Sequence, residues 1–359
     1  MNTTLELSEL NYQIGQLFMA GIPGTNLDES TEFLIRDYNL GGIILFSRNI
    51  HDPVQLAKLC HEIQSASMKY HGNSLFLAVD QEGGRVARLR KPFTVFPGNE
   101  AIGKDETPVE SAKEFGTVTA KEMRIVGLNM NLAPVVDVKR GRPEKHLKGR
   151  MFGEDHETVS LLGKTVVNAL QKNMVMSVAK HFPGLGSTDI DPHLNLPRID
   201  LDMKEINEVN IPPFMAAMKE GVSAILTSHA TYPALDPNAP ATMSSQVLNG
   251  FLRESLGFQG LIITDDLEMG AIAKKWGVSK GALASFEAGA DILLICANQK
   301  NVMDSLALIR GKILSEEIPR ERLTQSLTRI MKAKSRFIQT KEKISLLEVK
   351  KYFKMGIRN

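Results

Sequence analysis

Cysteine is nearly missing: Cys60 and Cys296 are the only two in 359 residues. They stand far apart and outside any Cys-x-x-Cys or Cys/His spacing, which excludes a disulfide framework and a thiolate metal centre and reads as two reduced thiols. An excess of charge of one sign is missing as well. Lys and Arg number 43 against 41 Asp and Glu, a formal charge of +2, so no global field marks a binder of nucleic acid or membrane. No stretch reaches the roughly 18 apolar residues of a membrane span, and the N-terminus carries Glu6 and Glu9 where a signal peptide would be basic and then apolar. P-loop, dinucleotide fingerprint and Gly-x-Ser-x-Gly elbow are all lacking, which lowers nucleotide-dependent and serine-hydrolase readings. The expectation is a soluble cytoplasmic chain with a small ligand as its partner.

What the chain does have is a rhythm. Eight short apolar runs, each closed by Gly, Pro or a polar residue, alternate with segments of helix length. They are Leu17 to Ile22, Gly42 to Phe46, Leu75 to Val79, Met130 to Val138, Met176 to His181, Ala224 to Ser228, Leu261 to Thr264 and Ile292 to Cys296. Most are continuously hydrophobic, as strands buried on both faces should be. Crossover helices are expected over Asp52 to Ser67, Thr107 to Val126, His156 to Lys172 and Ser244 to Ser255, the last opening on a Ser suited to an N-cap. An open doubly wound sheet would normally show a glycine-rich phosphate turn after its first strand, and Gly21-Ile22-Pro23-Gly24-Thr25 lacks that spacing. The pattern therefore predicts an α/β fold, a single (β/α)8 TIM-type barrel with extra terminal helices. No repeat, low-complexity segment or linker divides it, so residues 1–359 read as one domain with a core over about 10–335 and a helical extension over 336–359. The basic stretch from Ser315 onward reads as an amphipathic helix packed on the outside of the barrel.

In a barrel, residues just past the C-terminal ends of the strands share one mouth. Here they include Asp80, Asp137, Lys180, His181, His229 and Asp265. In Asp191-Pro192-His193 the proline disfavours helix at Asp191, so an extended triplet is expected, with carboxylate and imidazole on one face. A carboxylate beside an imidazole fixes its tautomer and raises its proton affinity, giving a general acid that works near neutral pH; on the triplet alone a solvated turn is the favoured reading, and only its neighbours reverse that. Asp265 and Asp266 end a strand and face opposite ways, so one carboxylate is expected in the mouth, where it could attack an anomeric carbon; the other reading is a helix cap. Asp80 precedes Gln81-Glu82-Gly83-Gly84-Arg85-Val86-Ala87-Arg88, where paired glycines would allow close backbone approach to a ligand and a nearby Arg suits sugar hydroxyls. Lys139-Arg140-Gly141-Arg142 and Lys145-His146-Leu147-Lys148-Gly149-Arg150 form a basic loop, ordinarily a solvated one, that could meet anionic groups. No His-x-His occurs; a zinc site would need His181, His193 and His229 to converge, and no metal is expected.

Taken together, Gly41-Gly42-Ile43-Ile44-Leu45-Phe46-Ser47-Arg48-Asn49, Ala78-Val79-Asp80-Gln81-Glu82-Gly83-Gly84-Arg85-Val86, Lys180-His181-Phe182-Pro183-Gly184, Asp191-Pro192-His193, Pro240-Ala241-Thr242 and Thr264-Asp265-Asp266-Leu267-Glu268-Met269 resemble glycoside hydrolase family 3. The nearest branch is that of the single-domain NagZ-type β-N-acetylglucosaminidases, and the likeness runs over about residues 10–300. It implies a (β/α)8 barrel and hydrolysis of terminal β-linked N-acetylglucosamine with retention, without metal or organic cofactor. By position, Asp265 matches the nucleophile, His193 the acid/base and Asp191 the carboxylate paired with it; Asp80, Arg88, Arg150, Lys180 and His181 match residues that hold the sugar. The branch carries its acid/base histidine on a mobile loop, so His193 could stand far from Asp265. Two departures are plain: Leu185 replaces the second His of Lys-His-Phe-Pro-Gly-His-Gly, and Pro192 replaces the Ser of Asp-Ser-His. The alignment of Arg150 rests mainly on Gly149-Arg150-Met151-Phe152-Gly153, because a basic segment replaces the usual Asn-Pro-rich approach. The reading is a cytoplasmic β-N-acetylhexosaminidase acting on cell-wall fragments in peptidoglycan recycling. Its alternatives are a family 3 glycosidase or phosphorylase of other sugar specificity and a sugar-binding barrel without turnover.

Overall fold

The computed structural model describes residues 3–141, 145–338 and 344–355. Eight parallel strands form its centre: β1 (Phe18–Gly21), β2 (Gly42–Leu45), β3 (Phe76–Val79), β4 (Met130–Asn131), β5 (Met176–Phe182), β6 (Ala224–Thr227), β7 (Leu261–Ile263) and β8 (Leu293–Ile295). Each pairs with its sequence neighbours, and β1 pairs with β8 through Phe18↔Leu293, Met19↔Leu294 and Ala20↔Ile295. A parallel bridge between Ile263 and Ile292 joins β7 to β8, so the sheet closes on itself as predicted. All eight strands are buried along their whole length, which is why their sequences read as unbroken apolar runs.

The crossover helices form where local chemistry starts and stops them. Pro53–His71 opens with proline in its first turn and the Asp52 carboxylate accepting from the amides of Val54 and Gln55, and it ends at Gly72 in the left-handed region. His156–Lys172 has the same kind of start, with Asp155 accepting from Glu157 and Thr158. Pro108–Ile125 also falls where expected, and Gln246–Ser255 forms two residues later than predicted and is π-wound. Its start is still held by serine, since Ser244 Oγ accepts from the Val247 amide at 3.2 Å.

Two expectations are corrected. The fourth strand was expected over Met130 to Val138, but its regular ladder stops at Asn131. Pro134 has no N–H to continue it, and beyond it the chain holds to β5 by single bonds such as Val136 N to Lys180 O at 2.8 Å. The basic C-terminal helix, Arg320–Phe337, does not lie on the outer wall. It crosses the end of the barrel where strands begin: Arg322 reaches Phe286 O and Ala290 O, Arg329 pairs with Asp291 at 3.1 Å, and Lys334 Nζ donates to Gln16 Oε1 at 2.7 Å. Of the predicted helical extension over 336–359, residues 339–343 and 356–359 lie outside the described residues; Leu346–Tyr352 is helical.

Lys334 is a buried lysine in this floor, 5 % exposed, with its ammonium 5.4 Å from the ring of Phe76. Burial pushes it down to about 7. An unfolded chain would hold it at its ordinary value of 10.5. Between those values the unfolded state binds more protons, so this group makes the protein more stable as pH rises through that window and least stable below about 7. Lys334→Met is therefore expected to raise Tm by several degrees near pH 6, with the gain shrinking as pH approaches 10.5. Thermal melts across that range check it, and a gain independent of pH would contradict it.

Candidate active site

The strands deliver their C-terminal residues to a pocket of about 250 Å³ whose lining includes Asp80, Arg88, Arg150, Lys180, His181, Asp191's neighbours Pro192 and His193, and Asp265. Asp80 follows β3, Lys180 and His181 lie within the last turn of β5, and Asp265 stands two residues beyond β7. Of the six strand-end residues expected at the mouth, Asp137 and His229 do not line the pocket and are fully buried behind it.

One flank of the pocket is a network of fixed charges. Lys180 Nζ sits 2.9 Å from Asp80 Oδ1 and 2.7 Å from Glu82 Oε1. Arg88 donates to Asp80 Oδ2 at 3.0 Å and lies 5.3 Å from the Phe46 ring centre. Arg150 grips Glu82 with two parallel bonds, at 2.8 and 2.9 Å. Burial resists ionisation of Asp80, but the charges of Lys180 and Arg88 hold it well below the carboxylate range. Burial likewise opposes Glu82, which Arg150 and Lys180 bring down to about 2. Lys180 is pushed up despite its burial by the two carboxylates it touches. All members are charged at neutral pH, and each is oriented before a ligand arrives.

Two imidazoles are each held by a carboxylate. Arg150 Nη2 lies 3.3 Å from His181 Nε2, and because a guanidinium only donates, that nitrogen accepts. The proton of His181 is thereby assigned to Nδ1, which donates to Asp137 Oδ2 at 2.7 Å. Asp137 Oδ1 also accepts from the backbone of His181 at 3.2 Å and Leu185 at 2.7 Å, which explains its burial. The second pair is the predicted one: Asp191 Oδ1 accepts from His193 Nδ1 at 2.7 Å and from the His193 backbone amide at 2.9 Å. The triplet is not extended as expected. Leu194 and Asn195 both donate to Asp191 O at 3.0 Å, so the chain turns, because an aspartate that captures the amide two residues on makes its own turn. Burial opposes ionisation of Asp191, but the hydrogen bonds from the backbone and side chain of His193 lower its pKa. With Nδ1 so engaged, Nε2 of His193 is the nitrogen left for proton transfer.

Asp265 and Asp266 divide as adjacent strand-end residues should. Asp265 lines the pocket and accepts from the Asp266 amide at 2.9 Å. Burial works against its charge, yet nearby His229 and His181, the Asp266 amide and Lys180 keep its pKa below the usual value. Asp266 turns away, accepting from the backbone of Glu268 at 3.0 Å and Cys296 at 3.2 Å, and burial with the charges of Glu268 and Asp265 pushes it up to about 6. The two carboxylates are thus separated in acidity, with the one in the pocket ionised. His229, lowered by burial, donates from Nε2 to the Asp266 carbonyl at 2.9 Å and so props the chain beside Asp265. Its ring serves that carbonyl and does not join His181 and His193 around a common centre. Among the described residues, no group of three or more His, Cys, Asp and Glu is placed to hold a metal ion.

Other expectations are corrected here. The glycine pair does not line the pocket: Gly83 and Gly84, with φ of 85° and 60°, turn a tight hairpin that packs on Pro97 and Gly98. The basic loop is largely committed to internal partners, with Lys139 on Glu154, Arg140 on Glu205 and Arg150 on Glu82; residues 142–144 lie outside the described residues. Sequence reasoning passed over Glu82, the anion between Lys180 and Arg150. It also passed over His146, whose Nδ1 lies 3.8 Å from Asp191 Oδ1 and whose ring centre lies 6.0 Å from that of His193. The signal for Glu82 was present, an acidic residue beside a strand-end Asp; none existed for His146. Leu185 and Pro192, the two departures from the family pattern, both line the pocket.

Barrel and pocket define the class: a (β/α)8 protein that presents fixed charges, an ionised carboxylate and a carboxylate–imidazole pair to a small polar ligand. The chain belongs to glycosyl hydrolase family 3, a family of glycoside-cleaving enzymes, whose N-terminal domain it matches over residues 9–333. It is 34% identical over 344 residues to "Beta-hexosaminidase A" of Pseudoalteromonas piscicida, covering 90% of this chain but only 58% of that relative's length. A glycoside hydrolase family 3 β-N-acetylglucosaminidase from Paenibacillus sp. str. FPU-7 superposes with a TM-score of 0.89 at 36% identity, over 94% of this chain and 67% of that one. NagZ from Neisseria gonorrhoeae, solved in complex with N-trifluoroacetyl-D-glucosamine, superposes at 0.75 with 30% identity, over 89% of this chain and 96% of that one.

Proposed function

We propose that this protein is a retaining exo-β-N-acetylglucosaminidase with Asp265 as nucleophile and His193 as acid/base. The observation that carries the reading is that an ionised Asp265 and a His193 held at Nδ1 by Asp191 open onto one pocket. Asp80, Arg88, Arg150, Lys180 and His181 supply the donors and acceptors that would seat the sugar hydroxyls. The relatives described as β-hexosaminidase and β-N-acetylglucosaminidase, and the N-acylglucosamine analogue bound by the gonococcal protein, support N-acetylglucosamine as that sugar.

In the first step a carboxylate oxygen of Asp265 bonds to the anomeric carbon as the bond to the aglycone oxygen breaks, and His193 Nε2 gives its proton to that oxygen. Asp191 stabilises the imidazolium before the transfer and keeps the ring in place after it. In the second step the now neutral imidazole takes a proton from water, the hydroxide bonds to the anomeric carbon, and the bond to Asp265 breaks. Two inversions leave the β configuration unchanged. Cytoplasmic cell-wall fragments ending in N-acetylglucosamine are the natural substrate we infer. A phosphorylase would need cations for its phosphate, which the basic loop could offer, and the pairing of Lys139, Arg140 and Arg150 with carboxylates weakens that alternative.

Proton NMR of a 4-nitrophenyl β-N-acetylglucosaminide digest tests the reading. Free N-acetylglucosamine is expected to appear first as the β anomer, with no sugar phosphate when phosphate is added. The α anomer appearing first, or preferential cleavage of the matching β-glucoside, would overturn it.

A further inference from the structure

The turn that carries His193 is hydrogen-bonded through main chain to the stretch that follows Asp265. The amide of Gly270 donates to His193 O at 3.0 Å, and the amide of Ala271 donates to Pro192 O at 3.1 Å. Among the described residues, 189–196 make no other backbone-to-backbone hydrogen bond outside the turn itself. Pro192 is buried, while beyond it the turn is open to solvent, with the His193 side chain 60% exposed and Leu194 58% exposed. Two main-chain hydrogen bonds therefore seat the turn on this segment, while Asp191 and the ring of His146 are what the imidazole itself meets.

Gly270 is at the closest point of this contact. A Cβ placed on it would stand 2.5 Å from Leu194 O and 2.7 Å from His193 O, closer than real Cβ atoms come to backbone oxygen. Both oxygens belong to the turn's main chain, so no side-chain rotation relieves the clash; the turn itself must move. The backbone of Gly270 does not lie in the left-handed region, so alanine could adopt its conformation. Glycine is needed here for approach and not for φ. Gly270 follows Asp265 by five residues, and Met269 between them lines the pocket.

We propose that Gly270 is a positioning residue for proton transfer: it lets the Asp191–His193 turn seat against the chain that leads out of the nucleophile's strand, the placement from which the acid serves the pocket. The proposal rests on the roles given above to His193 and Asp265. Small main-chain displacements of a general acid are costly because proton transfer demands hydrogen-bond distance to the leaving oxygen. The consequence is selective. A leaving group that departs without a proton does not need the seat, whereas a sugar or alkyl alcohol does.

The test compares kcat/KM for two β-N-acetylglucosaminides, one with a 2,4-dinitrophenyl and one with a methyl aglycone, in the wild type, Gly270→Ala, Ala271→Pro and His193→Ala. Ala271→Pro deletes the amide that bonds Pro192 O without adding bulk at Gly270, and proline is tolerated in the first turn of a helix. It decides the matter should Gly270→Ala fail to fold. General acids contribute about 10²- to 10⁴-fold; the expected loss for the methyl glycoside in Gly270→Ala is on the order of 10-fold to 10²-fold, with the dinitrophenyl glycoside changed less than about threefold. His193→Ala is expected to show the same asymmetry more strongly. If His193→Ala slows both substrates equally, the acid/base reading fails. If His193→Ala is asymmetric while the folded Gly270 or Ala271 variant matches the wild type, or loses both activities equally, the seat is overturned and the reading stands.

Discussion

Asp265→Asn is expected to lower kcat for an aryl β-N-acetylglucosaminide by on the order of 10⁴-fold or more, at unchanged fold. The side chains are nearly equal in size, and the amide oxygen of Asn can keep the bond that Asp265 Oδ1 accepts from the Asp266 amide at 2.9 Å. What is lost is the anionic oxygen that bonds to the anomeric carbon, and an amide is too weak a nucleophile to replace it. The neighbouring residue supplies the control. Asp266 is pushed up to about 6 and spends Oδ1 on the amides of Glu268 and Cys296, bonds that Asn can also accept. Asp266→Asn should therefore retain most turnover. Chromophore release, with circular dichroism to confirm folding, measures both; an Asp265→Asn enzyme holding more than about a hundredth of wild-type kcat would remove Asp265 from the proposed role.

The contrast between these adjacent aspartates shows what a sequence can convey. That one of the pair faces the mouth follows from strand geometry, and the buried strands themselves are legible because burial on both faces leaves unbroken apolar runs. The fourth strand was drawn too long because Val135, Val136 and Val138 look like strand, while the one missing N–H of Pro134 decides where the ladder ends. Asp191 and His193 were paired correctly for a partly wrong reason: the aspartate folds its own turn, and local side-chain capture overrides the extended preference before proline. The triplet alone favoured a solvated turn over a catalytic pair; its neighbours and the resemblance to family 3 reversed that. Glu82 was visible only as an acidic residue beside a strand-end Asp; its role was not legible, because that lies in partners 68 and 98 positions away, Arg150 and Lys180. The same holds for Lys334 and Gln16, joined across the floor from opposite ends of the chain.

Glu82→Gln is expected to be among the most damaging single changes for stability, although Glu82 has no proposed part in bond breaking. Its side chain is 1% exposed and stands between Lys180, 3% exposed, and Arg150, 10% exposed. Removing the charge leaves two cations with Asp80 as the one carboxylate in direct contact with Lys180 and none on the Arg150 fork. Breaking a buried pair in this way costs about 3–5 kcal/mol, which for a chain of this size corresponds to a fall in Tm of roughly 4–7 °C. The sign with pH follows from the depressed acidity. Glu82 lies at about 2 in the folded chain against 4.5 ordinarily, so its contribution is fully present above the ordinary value and is lost as pH falls toward about 2. The gap in Tm between wild type and variant should accordingly be widest near neutral pH and narrow below about 4.5. Glu154→Gln, which breaks an exposed pair with Lys139, should leave Tm unchanged within error. Because Glu82 holds Arg150 and Lys180 in place, its loss should also raise KM more than it lowers kcat. Melting curves and initial rates on the same preparations separate the two effects, and a Glu82→Gln protein that melts with the wild type at neutral pH would mean the cations find other partners or water.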